Sequence, residues 1–186
     1  MKRYLSIAIL LLITCFLATS SNGQSHNLTV VIIRHGEKPD TGDNLSCQGF
    51  NRSLQIPKSL DGQFKTVASF VYVPKIKTGV HTSSVRMFQT VTPYAVKHNL
   101  AVNSSFKETD HKGVAADVLA RRGMVLLVWE HQNIHDIVKA LGVKKKVPQW
   151  NGKDFDSIWV VTFDKKGARL DTTRKEGITP SATCNL

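Results

Sequence analysis

The chain has 186 residues, of which 41% are hydrophobic, and its 25 lysines and arginines outnumber 14 acidic residues for a formal net charge of +11. This length and apolar content suit one domain with a proper core and leave little room for a second. The positive charge is compatible with steering an anionic substrate, and no zinc-finger spacing, basic heptad region or aromatic-rich RNA motif accompanies it, so we expect no nucleic-acid partner.

The first 23 residues have the layout of a signal peptide, and residues 24–186 are predicted to form the domain. Lys2 and Arg3 precede an apolar run over residues 5–17, and small polar residues follow. The run is shorter than the roughly 20 residues that a membrane span needs. We therefore expect an exported protein, periplasmic or extracellular, with no stable membrane span.

The three cysteines have different expected fates. Cys15 lies in the leader, and a lipid anchor there is disfavoured because threonine is a poor fit immediately before a lipidated cysteine. Cys47 and Cys184 remain after the leader is removed, and an exported compartment permits a disulfide if the fold brings them together. The sequence leaves that pairing open.

The first predicted element is a buried strand that runs from Val30 to Ile33 and leads into Arg34, His35 and Gly36. A continuous β-branched run is typical of a central strand covered on both faces, and ligands collect beyond the carboxyl ends of such strands. Arginine offers a planar fork of donors for phosphate oxygens, and histidine offers a neutral nitrogen nucleophile near pH 7. This end of the strand predicts phosphoryl chemistry on a histidine, with an ordinary surface pair as the alternative.

Two helices and a strand are predicted next. Ser46 is a plausible N-cap for a helix that Pro57 is expected to stop or kink, and residues 68–73 form the second predicted strand. Hydroxyl residues within 81–91 indicate a helix start with Arg86 in its first turns. Helix N-termini present free amide donors, so Arg86 and these hydroxyls can all face one anion, whereas the plain alternative is an exposed arginine.

The middle of the chain predicts a short strand at residues 100–102, a polar loop at 104–112 and a helix at 114–121. The loop contains two acidic residues, Glu108 and Asp110.

A second continuous apolar run, residues 124–129, predicts another buried strand, which ends on Glu130 and His131 just as the first ended on arginine and histidine. An amphipathic helix closed by Gly142 follows. The last predicted strand covers residues 155–163.

Taken in order, four motifs resemble the histidine phosphatase superfamily, also called the phosphoglycerate mutase-like family. They are Arg-His-Gly-Glu at 34–37, Leu-Ser-X-X-Gly at 45–49, Ser-X-X-Arg-X-X-Gln-Thr at 83–90, and a strand followed by His131. The resemblance covers most of the chain after the leader, and the ordered set is more specific than any single motif. It implies an α/β three-layer sandwich with a central, mostly parallel sheet flanked by helices.

The resemblance also implies a phosphoenzyme mechanism without a metal or cofactor. His35 would attack phosphorus in line, while Arg34, Arg86 and His131 would hold the equatorial oxygens. His131 is expected to be protonated as part of this phosphate clamp.

In related families a carboxylic acid between the second arginine and the second histidine protonates the leaving group. Asp110 ranks slightly ahead of Glu108 for this role, and Asp117 falls inside a predicted helix. Glu130 is as suited to orienting the neighbouring imidazole as to donating a proton.

The resulting hypothesis is a metal-independent, histidine acid phosphatase-type phosphoric monoester hydrolase acting on a small phosphorylated substrate or a phosphopeptide. The alternatives are a non-catalytic phosphate-ligand-binding or surface-binding module of the same fold and, third, a basic binding protein. A phosphoglycerate-type mutase is a further alternative, disfavoured because the stretch between Arg86 and His131 is too short for the long insertion that covers the pocket of a mutase.

Overall fold

One mixed sheet of six strands organises residues 27–79 and 81–184, the part of the chain that this computed structural model describes. The strands are β1 (Leu28–Arg34), β2 (Phe70–Tyr72), β3 (Val102–Asn103), β4 (Gly123–Trp129), β5 (Ser157–Asp164) and β6 (Gly167–Lys175). The four helices are α1 (Cys47–Gln63), α2 (Val85–His98), α3 (His111–Leu119) and α4 (His131–Ala140).

The strand order across the sheet is β3-β2-β4-β1-β5-β6. The first four strands in this order are parallel, and β5 and β6 extend the sheet as an antiparallel hairpin beside β1. The carboxyl ends of β1 and β4 therefore lie side by side near the middle of the sheet.

Helices cover both faces of the sheet, because alternate residues of the central strands point to opposite sides. On one face Val31 and Ile33 share a core with Ile56 of α1 and Val91 of α2. On the other face Val30, Ile32 and their neighbours pack against two further helices, α3 and α4. The predicted three-layer arrangement is confirmed.

The main departures from prediction concern a proline and an edge strand. Pro57 neither stops α1 nor marks its end, since the helix continues to Gln63. Ile56 and Leu60 on either side of the proline are fully buried, so packing outweighs the roughly 3 kcal/mol that an interior proline costs. The sequence also failed to predict β6, whose exposed residues lack an apolar alternation.

The predicted signal peptide lies outside the described residues. Within residues 27–79 and 81–184, none of the helices combines the length and apolar character needed to cross a membrane.

Candidate active site

The register of β1 and β4 sets two sequence motifs beside each other. Arg34 pairs with Trp129, and the amide of His35 continues the ladder by donating to the Trp129 carbonyl at 3.2 Å. The next residues of each strand, His35 and Glu130, therefore emerge at the same point. His131 follows as the first residue of α4.

His35 is buried and held in one orientation. Its Nδ1 lies 2.6 Å from the carbonyl oxygen of Gly36, an acceptor that requires a hydrogen on Nδ1. The neutral tautomer with that hydrogen leaves a lone pair on Nε2. A nucleophilic nitrogen is thus fixed without help from another side chain.

Arg34 is also buried, and backbone carbonyls position its guanidinium. Nη1 donates to the carbonyls of Gly152 at 2.8 Å and Asp154 at 3.2 Å, both in the segment before β5. The ring of Phe155 lies against the guanidinium, 3.8 Å from its central carbon. Burial lowers the pKa of Arg34 to about 10, which keeps the side chain charged at neutral pH.

Glu130 and His131 form the other half of the cluster. Glu130 Oε1 lies 2.5 Å from His131 Nδ1 and 3.8 Å from His35 Nε2. A separation of 2.5 Å needs a hydrogen between the atoms, so we assign it to Nδ1 of His131. Arg34 Nη2 lies 3.1 Å from that same nitrogen. Because Nδ1 already carries a hydrogen, the guanidinium does not donate a hydrogen bond to His131 but lies beside it as a positive charge.

Burial and the adjacent Arg34 guanidinium lower the pKa of His131 below its usual value. Burial opposes ionisation of Glu130, but contacts with His35, the Gln132 amide and His131 outweigh it and lower the pKa of this carboxyl. The empty site therefore contains a carboxylate beside a neutral imidazole, which differs from the protonated His131 expected from the family resemblance.

The second motif supports the first through two glycines and a serine. Ser46 caps α1 and bonds the Glu37 carbonyl through both its amide, at 2.9 Å, and its hydroxyl, at 3.1 Å. A Cβ on Gly36 would lie 2.9 Å from the Gly49 carbonyl, and a Cβ on Gly49 would lie 2.3 Å from the Glu37 carbonyl. Both positions thus require glycine for close backbone packing.

The third motif ties α2 to the same loops. Thr90 Oγ1 accepts a hydrogen bond from the Gly36 amide at 2.8 Å, and Gln89 accepts one from the Leu45 amide at 3.1 Å. Arg86 lies one turn earlier, and its Nη1 donates to the carbonyls of Gly42 and Asp43 at 3.3 and 3.2 Å. Its guanidinium faces this loop, and the contacts of the described residues do not join it to His35.

The two predicted acid candidates have different surroundings. Glu108 accepts hydrogen bonds from Ser84 at 2.8 Å and Asn133 at 3.2 Å, which places it between the first turns of α2 and α4. Ser84 adopts a left-handed backbone conformation with φ of 58°, which is uncommon for a residue other than glycine. Asp110 is exposed and caps α3 by accepting from the Gly113 amide at 2.9 Å.

His35, Glu130 and His131 each offer one nitrogen or oxygen atom that could bind a metal ion, and these three atoms lie within 4.8 Å of one another. Among residues 27–79 and 81–184 this is the one group of three or more such side chains. The Arg34 guanidinium adds a positive charge directly beside it. That positive charge disfavours a metal cation in this grouping.

No protein-family model matches the chain, and no curated protein matches it.

Solved structures do match. The protein histidine phosphatase SixA complexed with tungstate is 22% identical over 80% of this chain and 97% of its own, with a TM-score of 0.57. The chain has the fold of the histidine phosphatase superfamily. A mycobacterial glucosyl-3-phosphoglycerate phosphatase with inorganic phosphate shares this fold at 14% identity, covering 81% and 99% of the two chains with a TM-score of 0.55. So does a phosphoglycerate mutase from Plasmodium falciparum, at 11% identity, 86% and 98% coverage and a TM-score of 0.54.

Sequence reasoning missed several groups that shape this site. The carbonyls of Gly152 and Asp154 have no side-chain signal, and Phe155 appeared only as the start of a strand. Gln89 and Thr90 were visible as motif letters, but their role in binding loop amides required the structure.

Proposed function

We propose that this protein is an exported, metal-independent phosphatase that hydrolyses a phosphomonoester through a phosphohistidine on His35. The observation that carries the proposal is the 2.6 Å contact between His35 Nδ1 and the Gly36 carbonyl, which directs the lone pair of Nε2 toward the cluster of Arg34, Glu130 and His131. Two of the structural relatives named above are phosphatases, and their bound tungstate and phosphate are tetrahedral oxyanions.

In the first step, Nε2 of His35 attacks phosphorus, a phosphorus–nitrogen bond forms and the ester phosphorus–oxygen bond breaks. Arg34 and His131 stabilise the phosphoryl oxygens, and the Arg86 guanidinium turns from the carbonyls of Gly42 and Asp43 to join them. The departing alkoxide takes a proton from a carboxylic acid.

We assign this acid to Glu108 and not to Asp110, reversing the order that the sequence favoured. Glu108 is held between the first turns of α2 and α4, and α4 begins at His131, whereas the Asp110 side chain caps a helix at the surface. In the second step the Glu108 carboxylate takes a proton from water, whose oxygen attacks phosphorus. The phosphorus–nitrogen bond then breaks and regenerates His35.

The decisive experiment compares His35→Ala with His135→Ala on an aryl phosphate. His135 is a matched control because it lies one turn along α4, where it contacts the Pro148 carbonyl at 3.1 Å and Asp136 at 3.9 Å. We expect His35→Ala to reduce kcat/KM by at least about a thousandfold and to abolish an acid-labile, alkali-stable phosphoenzyme, with His135→Ala unchanged.

Near wild-type turnover in folded His35→Ala protein would exclude the nucleophile assignment. Oxyanion binding without turnover by the wild-type protein would favour the non-catalytic binding module instead.

The export proposal rests on the leader-like residues 1–23 and is supported by the disulfide between Cys47 and Cys184, because such bonds persist in oxidising compartments. An intact mass that retains Met1 in protein from its native source would contradict it.

A further inference from the structure

A carboxylate lies where the proposed reaction needs a phosphoryl group. Glu130 Oε1 sits between the two imidazoles, 2.5 Å from His131 Nδ1 and 3.8 Å from His35 Nε2. The other oxygen accepts from the Gln132 amide at 2.5 Å, so the side chain also caps α4. Only 18% of the side chain is exposed, which limits its room to move aside.

One guanidinium and two imidazoles surround this carboxylate in the empty pocket. Arg34 and His35 face it from the end of β1, and His131 faces it from α4. The charges of Asp154, Glu37 and Arg52 of α1 also act on the Arg34 guanidinium. An ionised Glu130 therefore balances the Arg34 charge while no substrate is bound.

A bound phosphate group brings up to two negative charges into the same space. The Glu130 carboxylate and the phosphate anion would repel each other strongly in this partly buried site, and a proton shared between them relieves the repulsion. A protonated carboxyl would in addition donate a hydrogen bond to a phosphoryl oxygen, whereas the carboxylate can only accept.

We propose that Glu130 takes up one proton from solvent when a phosphate group binds, so that the site selects for substrate and proton together. This inference rests on the proposed function. The carboxylate becomes a carboxylic acid, its O–H donates to a phosphoryl oxygen, and the proton returns to solvent when phosphate leaves.

The sign of the pH dependence follows from linkage. The contacts in the empty site lower the pKa of Glu130, so the residue is ionised there at pH 6. Each binding event then requires one proton. The contribution of Glu130 therefore raises the dissociation constant for phosphate by about tenfold for each unit by which the pH rises. Replacing the carboxyl with an amide removes that contribution.

The test is calorimetric titration of purified protein with inorganic phosphate near pH 6, in two buffers of different ionisation enthalpy. Glu130→Gln should take up about one proton fewer than wild type and bind phosphate with a weaker pH dependence. Asp110→Asn is the matched control, because it also removes a helix-capping carboxylate, and it should keep the wild-type proton count.

Equal proton counts for wild type and Glu130→Gln, with phosphate bound by both, would overturn this inference and leave the proposed function standing. Failure of both proteins to bind phosphate would overturn both.

Discussion

At the scale of single residues, the loop before α3 shows how neighbours decide what a carboxylate can do. The hydroxyl of Ser84 and the amide of Asn133 hold both oxygens of Glu108, and His111 orients that amide by contacting its oxygen at 2.7 Å. Asp110, two residues later, accepts a hydrogen bond from an amide at the start of a helix. Two carboxylates in one loop therefore receive different roles: Glu108 is the proposed general acid, and Asp110 caps a helix.

We predict that Glu108→Gln will slow hydrolysis of an alkyl phosphate by about a hundredfold or more and of an activated aryl phosphate much less, because only the poor leaving group needs a proton. Steady-state kcat/KM on the two substrates measures the split. Asp110→Asn should lower the free energy of unfolding by about 1 kcal/mol and should not affect the two substrates differently. Equal losses on both substrates for Glu108→Gln would instead indicate a role in positioning the phosphate or the loop.

At the scale of elements, a buried ion pair joins α1 to the chain just after β6. Arg52 Nε donates to Glu176 Oε2 at 2.7 Å, Nη2 contacts the second oxygen, and both side chains are almost fully buried. Removing one partner of such a pair leaves the other charge buried without compensation, whereas removing both can be nearly neutral.

Arg52→Met is therefore predicted to lower the free energy of unfolding by about 3–5 kcal/mol, and Arg52→Met with Glu176→Leu to recover most of it. Urea denaturation measures both. Lys97→Met breaks the exposed pair with Asp61 and should cost less than about 1 kcal/mol. A loss that small for Arg52→Met would show that the buried pair contributes nothing special.

The strands differ in how well the sequence predicted them. The uninterrupted apolar runs fixed β1 and β4 to within two residues, because strands buried on both faces have few alternatives. The edge strand β6 was missed since it packs little apolar surface. The choice between Glu108 and Asp110 depended on loop geometry, and the Arg34 acceptors are backbone atoms, which residue types do not encode.

At the scale of the whole molecule, one covalent bond connects distant parts of the chain. The disulfide between Cys47 and Cys184 joins the first residue of α1 to the C-terminal segment, 137 residues apart in sequence. The sequence left this pairing open because it depends on the tertiary fold.

We predict that Cys47→Ser with Cys184→Ser lowers the free energy of unfolding by about 2–4 kcal/mol, mainly because the unfolded chain gains conformational freedom. Reductant should shift the urea midpoint of wild type to that of the double variant and leave the variant unmoved. A wild-type midpoint insensitive to full reduction would contradict the prediction.

The seven-residue pairing of β1 with β4 also has a consequence for engineering. Inserting one residue into either strand would shift the partners by about 3.3 Å and move each side chain beyond the insertion to the opposite face of the sheet, separating His35 from Glu130. The turn at residues 165–166 lies at the opposite end of the sheet, and both of its residues are exposed. A peptide tag or reporter is therefore better tolerated in that turn than anywhere along the two central strands.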